Sequence, residues 1–246
     1  MRLLVSVRSA AEVAAAVAGG AGIVDAKEPA RGSLGAVDAP TLRRIAAAAP
    51  PAMPLSIALG DVRDPSALGA ALAALEGIER RPRELYVKVG LAGVREPAAA
   101  RAVLAAAVDA ASASVLRPDV VAVAYADHDA AHALPRDMIG GLAAEVGARG
   151  VLLDTWSKEG RDLFTWVAIH EVERWLEQSR RRGLLTALAG SLTVDGVRRA
   201  SGLPADILGV RGAVCAGGRL GRVDEGRVRS LAAALMGPGR AAESVA

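Results

Sequence analysis

The chain has 246 residues, of which 52% are hydrophobic and 23% charged, with a net charge of +3. That balance excludes a disordered or collagen-like polypeptide and is enough for one large core, at a length that α/β barrels reach as a single domain. No apolar stretch reaches the roughly 18 residues of a membrane span, and Arg2, Arg8 and Glu12 interrupt any signal-peptide core. A lone cysteine, Cys215, fits a reducing compartment, so a cytoplasmic protein with no membrane partner is expected.

Short runs rich in β-branched residues alternate with alanine-rich helical stretches, the pattern of repeated βα units around a parallel sheet. Strands are predicted at Leu3 to Val7, Gly22 to Ala26, Pro54 to Leu59, Leu85 to Val89, Val120 to Ala124, Val151 to Asp154, Leu184 to Ala189 and Asp206 to Val210. Helices are predicted at Ala10 to Ala18, Ala39 to Ala48, Pro65 to Leu75, Glu96 to Ala113, Ala130 to Val146, Asp162 to Arg181, Val194 to Ala200 and Glu225 to Leu235. Ser9, Asp38, Asp64, Asp129 and Thr193 stand where N-cap acceptors belong, and Pro65 and Pro97 suit first-turn positions. Eight repeats predict a closed (β/α)₈ TIM barrel, α/β in class, as one catalytic domain over residues 1–236, followed by a flexible tail over 237–246. The segment Ala216-Gly217-Gly218-Arg219-Leu220-Gly221 lacks the G-x-G-x-x-G spacing and comes too late in the chain, which argues against a dinucleotide. No cofactor is expected.

The basic residues carry a sharper signal, because of 30 only Lys27, Lys88 and Lys158 are lysine and the rest are arginine. Either residue serves as solvated surface charge, but only lysine has an amine that can lose its proton and attack a carbonyl. Side chains alternate along a strand, so Asp25 and Lys27 point together into the barrel mouth, and Lys88 points inward between Val87 and Val89. Asp154 ends the sixth strand and Lys158 follows in its loop. All three lysines belong to even-numbered strands, whose side chains share layers inside a barrel, and clustered ammonium groups depress one another's pKa. Asp25 and Asp154 are expected to orient the cluster and partly neutralise it.

Gly190-Ser191 after strand seven and Arg211-Gly212 after strand eight occupy the loops where barrels gather phosphate, with a bidentate contact expected from Arg211. Gly32-Ser33-Leu34-Gly35 is read as an active-site loop because Lys27 is so near. His128, His132 and His170 lack ligand spacing, so no metal is expected, and Cys215 reads as a small buried residue. The charges are interleaved and the aromatics number six, which disfavours nucleic acid. The helix shell offers surface for a homo-oligomer without a motif that specifies one.

These motifs resemble the (5-formylfuran-3-yl)methyl phosphate synthases, also called 4-(hydroxymethyl)-2-furancarboxaldehyde-phosphate synthases. The resemblance is carried by Ile23-Val24-Asp25-Ala26-Lys27-Glu28-Pro29, Gly60-Asp61-Val62, Tyr86-Val87-Lys88-Val89-Gly90-Leu91, Ala124-Tyr125-Ala126-Asp127, Leu153-Asp154-Thr155 with Lys158, Ala187-Leu188-Ala189-Gly190-Ser191 and Gly209-Val210-Arg211-Gly212-Ala213. It implies condensation of two glyceraldehyde 3-phosphate molecules to a phosphorylated furan aldehyde that serves a methanofuran-type one-carbon carrier. Within it Lys27 would form the Schiff base and Lys88 would accept protons, supported by Asp25, Asp154 and Lys158. The sequence departs from the family pattern at Trp156-Ser157, where smaller residues are expected, and in the arginine-rich stretch Glu171 to Arg182. The residues alone leave open a class I aldolase-like barrel acting on another sugar phosphate, or a non-catalytic barrel that binds a phosphometabolite.

Overall fold

The computed structural model of the protein describes residues 1–79 and 84–236. Its strands are β1 (Arg2–Val7), β2 (Ile23–Ala26), β3 (Leu55–Asp61), β4 (Leu85–Gly90), β5 (Asp119–Tyr125), β6 (Gly150–Asp154), β7 (Leu185–Leu188) and β8 (Ile207–Val210). All pair in parallel in sequence order, and β8 returns to β1 to close the barrel. The helices are α1 (Ala10–Ala18), α2 (Ala39–Ala48), α3 (Ala67–Ala73), α4 (Pro97–Ala113), α5 (Arg136–Glu145), α6 (Leu163–Trp166), α7 (Ile169–Arg181), α8 (Val194–Ser201) and α9 (Glu225–Met236). The expected (β/α)₈ barrel is therefore present as one domain; the tail expected over 237–246 lies outside the described residues. No helix among the described residues is long and apolar enough to cross a membrane.

Strand alternation divides the apolar side chains into two sets. Val5, Val7, Val24, Val87, Val89, Ala122 and Val151 face outward and pack with helix residues such as Val13, Ile45, Leu104 and Leu176. Leu4, Ile23, Tyr86, Val121, Leu152 and Ile207 face inward and form the floor of the barrel. Above that floor the inward positions become small or polar, with Ser6, Ser56, Ala58, Ala187 and Gly209, so the upper barrel is hollow rather than filled by the usual layers.

Two helices differ from the sequence reading for local reasons. The helix expected from Ala130 begins at Arg136, because Pro135 disfavours helical backbone at Leu134, and His132 already turns to φ 49°. The helix expected over Asp162 to Arg181 breaks at Val167 and Ala168, both extended. There Asp162 caps Thr165 N at 3.1 Å and the Glu171 carboxylate accepts from Ala168 N at 3.3 Å, so two separate helix starts are stabilised in series. Asp38 and Thr193 cap as expected, at 2.7 Å and 3.1 Å. Ser9 makes no side-chain cap bond, Asp64 instead accepts from Ser66 N ahead of α3, and Asp129 closes only a turn, through its carbonyl to His132 N.

The seam between β8 and β1 is fastened by a buried ion pair. Arg211, just past β8, donates to both carboxylate oxygens of Glu12 in α1, at 2.7 and 3.1 Å, and to Ser6 O of β1 at 2.8 Å. Its remaining donors reach Arg219 O at 3.0 Å and Gly221 O at 2.8 Å. Removing one partner of such a pair leaves a bare charge in the interior. Arg211→Met is therefore expected to lower unfolding stability by about 3–5 kcal/mol in urea denaturation, and adding Glu12→Gln to it should recover much of that loss.

Candidate active site

The two-residue strand period brings the predicted residues together. Lys27 continues the line of β2, with its amide bonded to Val7 O at 3.0 Å, so it points inward like Asp25. Lys88 lies inward on β4, and its Nζ stands 2.7 Å from Asp25 Oδ1, while Ser6 Oγ donates to Asp25 Oδ2 at 2.7 Å. Across the mouth Lys158 Nζ donates to Asp154 Oδ1 at 2.7 Å and to Thr155 Oγ1 at 3.2 Å. Lys27 lies among these two pairs with neither an ion pair nor a hydrogen bond to its amine among the described residues.

This arrangement sets the charges. Burial lowers the pKa of Lys27, Lys88 and Lys158 lower it further, and Asp154 and Asp25 oppose them incompletely, bringing it to about 7. Burial alone would raise Asp25, but Lys88, Lys27 and the Ser6 hydroxyl outweigh it and hold the carboxyl below its ordinary range. Asp154 likewise is lowered against its burial, by Lys158, Lys27 and the Thr155 amide. The cluster thus consists of two anionic carboxylates, two lysines paired with them, and a third amine poised to lose its proton near neutrality.

The cluster forms one wall of a cavity of about 520 Å³ at the C-terminal ends of the strands. The opposite wall is the loop after β7 and the 3₁₀ turn Gly212–Val214 after β8. Gly190 (φ 111°) and Ser191 (φ 50°) both adopt left-handed backbone, and a Cβ on Gly190 would lie 3.0 Å from Thr155 Cγ2. A non-glycine residue held there is strained, a feature that concentrates at binding sites. Thr193 then starts α8, whose first amides lack intrahelical acceptors and face anions favourably. Gly190, Ser191 and Gly212 are thus brought to the cavity as the sequence predicted.

Arg211 requires a correction. All five of its N–H groups are engaged by Glu12 and by main-chain carbonyls, so the bidentate phosphate contact expected of it has no free donor pair. No local pattern around Arg211 points to this, because Glu12 is nearly two hundred positions away.

Several supporting residues escaped the sequence reading. Asp127 accepts from Trp156 N and Ser157 N at 2.7 and 2.8 Å, which fixes the loop carrying Lys158 and leaves the Trp156 side chain outside, 43% exposed. The unusual Trp156-Ser157 pair therefore does not displace Lys158. Tyr125 OH donates to Asp61 Oδ1 at 2.6 Å and lies 3.4 Å from Ser33 Oγ, which draws the Gly32–Gly35 loop inward and buries Leu34. A Cβ on Gly90 would lie 2.2 Å from Asp61 Oδ1, so this network needs glycine there. Inward aspartates at strand ends were the available signal for Asp61 and Asp127. Burial pushes the Cys215 thiol up, as befits a packing residue, and no cluster of three metal-ligating side chains occurs among the described residues.

The model of the 4-HFC-P synthase family matches residues 3–232. The (5-formylfuran-3-yl)methyl phosphate synthase of Methanothermobacter thermautotrophicus is 36% identical over 94% of this chain and 97% of its own length. That of Archaeoglobus fulgidus is 33% identical over 96% and 100%. The chain belongs to the 4-HFC-P synthase family. Among solved structures, phosphoribosyl anthranilate isomerase from Thermus thermophilus superposes with a TM-score of 0.59 at 15% identity, covering 96% of this chain and 98% of its own. A 3-hexulose-6-phosphate synthase gives 0.57 at 20%, covering 95% and 99%. These likenesses show the barrel fold that this 4-HFC-P synthase family member shares with other enzymes.

The unpaired amine has a measurable consequence. Because the pKa of Lys27 is lowered, its neutral form predominates above about pH 7 and is lost as the pH falls. Limited reductive methylation with formaldehyde and cyanoborohydride, read by peptide mass, is expected to label Lys27 ahead of Lys88 and Lys158. The Lys27 rate should drop about tenfold per pH unit below 7.

Proposed function

We infer that the chain is a (5-formylfuran-3-yl)methyl phosphate synthase acting through an imine on Lys27, and the observation that carries this reading is the near-neutral amine, without a partner among the described residues, between two ion-paired lysines. A neutral amine can attack a carbonyl carbon, here that of the ketose form, and loss of water from the carbinolamine leaves an iminium. The iminium draws electrons from the neighbouring C–H bond, so that proton becomes removable. Lys88 and Asp25, 2.7 Å apart, act as one unit that receives the proton and returns it at a later step. Lys158 and Asp154 form a second such pair on the other side of Lys27, suited to protonating departing oxygen.

The substrates in this reading are two molecules of glyceraldehyde 3-phosphate, one first isomerised to the ketose form. The nucleophilic carbon of the imine-derived enamine attacks the second aldehyde and forms the new carbon–carbon bond. Elimination expels one phosphate, and ring closure with dehydration gives the furan aldehyde, which retains the other phosphate. Atoms balance with release of one inorganic phosphate and two water molecules. The Gly190-Ser191 and Gly212 amides suit the phosphate groups, and the cavity of about 520 Å³ has room for a six-carbon product. The product would supply a methanofuran-type one-carbon carrier in the cytoplasm, a setting consistent with a single reduced cysteine.

Purified protein incubated with glyceraldehyde 3-phosphate is expected to release inorganic phosphate and a furan phosphate in equal amounts. Borohydride should instead yield a reduced adduct on the Lys27 peptide. Lys27→Met is expected to lower turnover by about 10³-fold or more, and Lys88→Met by about 10²–10⁴-fold. An aldol without furan would point to an aldolase, and substrate binding without consumption or adduct would point to a non-catalytic barrel.

A further inference from the structure

Arg211 lines the cavity with all of its N–H groups engaged in the barrel seam, and another guanidinium stands at the rim. Arg219 lines the cavity from the loop between two short strands, β9 (Cys215–Ala216) and β10 (Arg222–Val223). Its Nη1 donates to Pro29 O at 2.7 Å and its Nη2 to Gly32 O at 2.6 Å. No carboxylate among the described residues lies within ion-pair distance of it, and three of its five N–H groups have no protein acceptor there. A half-buried guanidinium with no carboxylate paired to it among the described residues, at the mouth of a cavity, is arranged to receive an anion.

The loop that presents it is held in place. Three consecutive carbonyls are gripped by arginines, Arg219 O and Gly221 O by Arg211 and Leu220 O by Arg8 Nη1 at 3.0 Å. Gly217 and Gly218, with φ of 83° and 77°, make the turn that aims residue 219 back over the barrel. A Cβ built on Gly212 would lie 3.8 Å from Arg219 Cβ, so an anion seated on the Gly212–Val214 turn is beside this side chain. Burial also lowers the pKa of Arg219, as expected for a cation that a bound anion would relieve.

We propose that Arg219 is the phosphate-binding cation of this cavity, contacting the phosphomonoester of the substrate and, through Pro29 and Gly32, linking phosphate occupancy to the position of the segment that follows Lys27. Arg211 is a positioning residue that holds Arg219 in place. The proposal rests on the reading of the cavity as a site for phosphorylated aldehydes. It makes Arg219 responsible for preferring a phosphorylated aldehyde over the same aldehyde without phosphate.

The test compares wild type, Arg219→Met and Arg219→Lys with glyceraldehyde 3-phosphate and with unphosphorylated glyceraldehyde. The readout is the concentration dependence of the borohydride-trapped Lys27 adduct. Arg219→Met should raise the half-saturating concentration of the phosphate ester by tenfold or more and that of glyceraldehyde by far less. Arg219→Lys, which keeps charge but loses the fork, should fall between. Inorganic phosphate should compete with glyceraldehyde 3-phosphate on the wild type and not on Arg219→Met. Equal weakening for both aldehydes, or no change for either, overturns the proposal. If the wild type forms no adduct with either aldehyde, the imine reading fails, and titration calorimetry with inorganic phosphate then decides Arg219 alone. Equal heats and affinity in wild type and Arg219→Met would overturn it, and loss of binding in the variant would sustain it.

Discussion

Two carboxylates face three lysines at the mouth of this barrel, and that imbalance governs the chemistry available there. Asp25 takes Lys88 and Asp154 takes Lys158, each at 2.7 Å, which leaves the Lys27 amine in a buried space already containing two ammonium groups. A buried charge without a partner is costly, and the inexpensive resolution is for the amine to release its proton. Reactivity at Lys27 thus follows from where its neighbours find their counter-ions. Removing either carboxylate would strand one of the paired lysines and alter all five groups together.

The barrel supports this imbalance in two ways. Its inward residues change from Leu4, Tyr86 and Leu152 at the floor to Ser6, Ser56 and Gly209 above, so the lysines surround open space rather than packed side chains. Its seam is closed by Arg211 and Glu12, which join the end of β8 to β1 and α1 and also anchor the loop bearing Arg219. One guanidinium thereby fastens the fold and orders the rim of the site. Asp127 plays a similar part for the segment carrying Lys158, and Asp61 with Tyr125 for the loop after Lys27.

Period-two alternation made much of this legible in the sequence. Asp25, Lys27 and Lys88 had to face inward once their strands were recognised, and the scarcity of lysine drew attention to the right positions. The ion-pair assignments were not legible, because which carboxylate lies nearest which amine depends on strand stagger and loop conformation. Arg211 was misread for a related reason: its partner Glu12 sits on the first helix, and only closure of the barrel brings them together. Arg219 lay inside a glycine-rich segment weighed for a different ligand, and its aim depends on two left-handed glycines. The late start of α5 was present in Pro135, whereas the break between α6 and α7 depended on Glu171 reaching back to Ala168, a competition that helical periodicity does not display.

The scarcity of lysine also makes the central claim directly measurable. With lysine labelled at its side-chain carbon and nitrogen, three side-chain resonances are expected from Lys27, Lys88 and Lys158, and their charge can be followed by NMR titration between pH 6 and 8. The account predicts that one resonance changes charge with a midpoint near 7 and that this resonance is missing from Lys27→Met. A titration in which no lysine changes charge across that range, or in which the titrating signal survives in Lys27→Met, would contradict it.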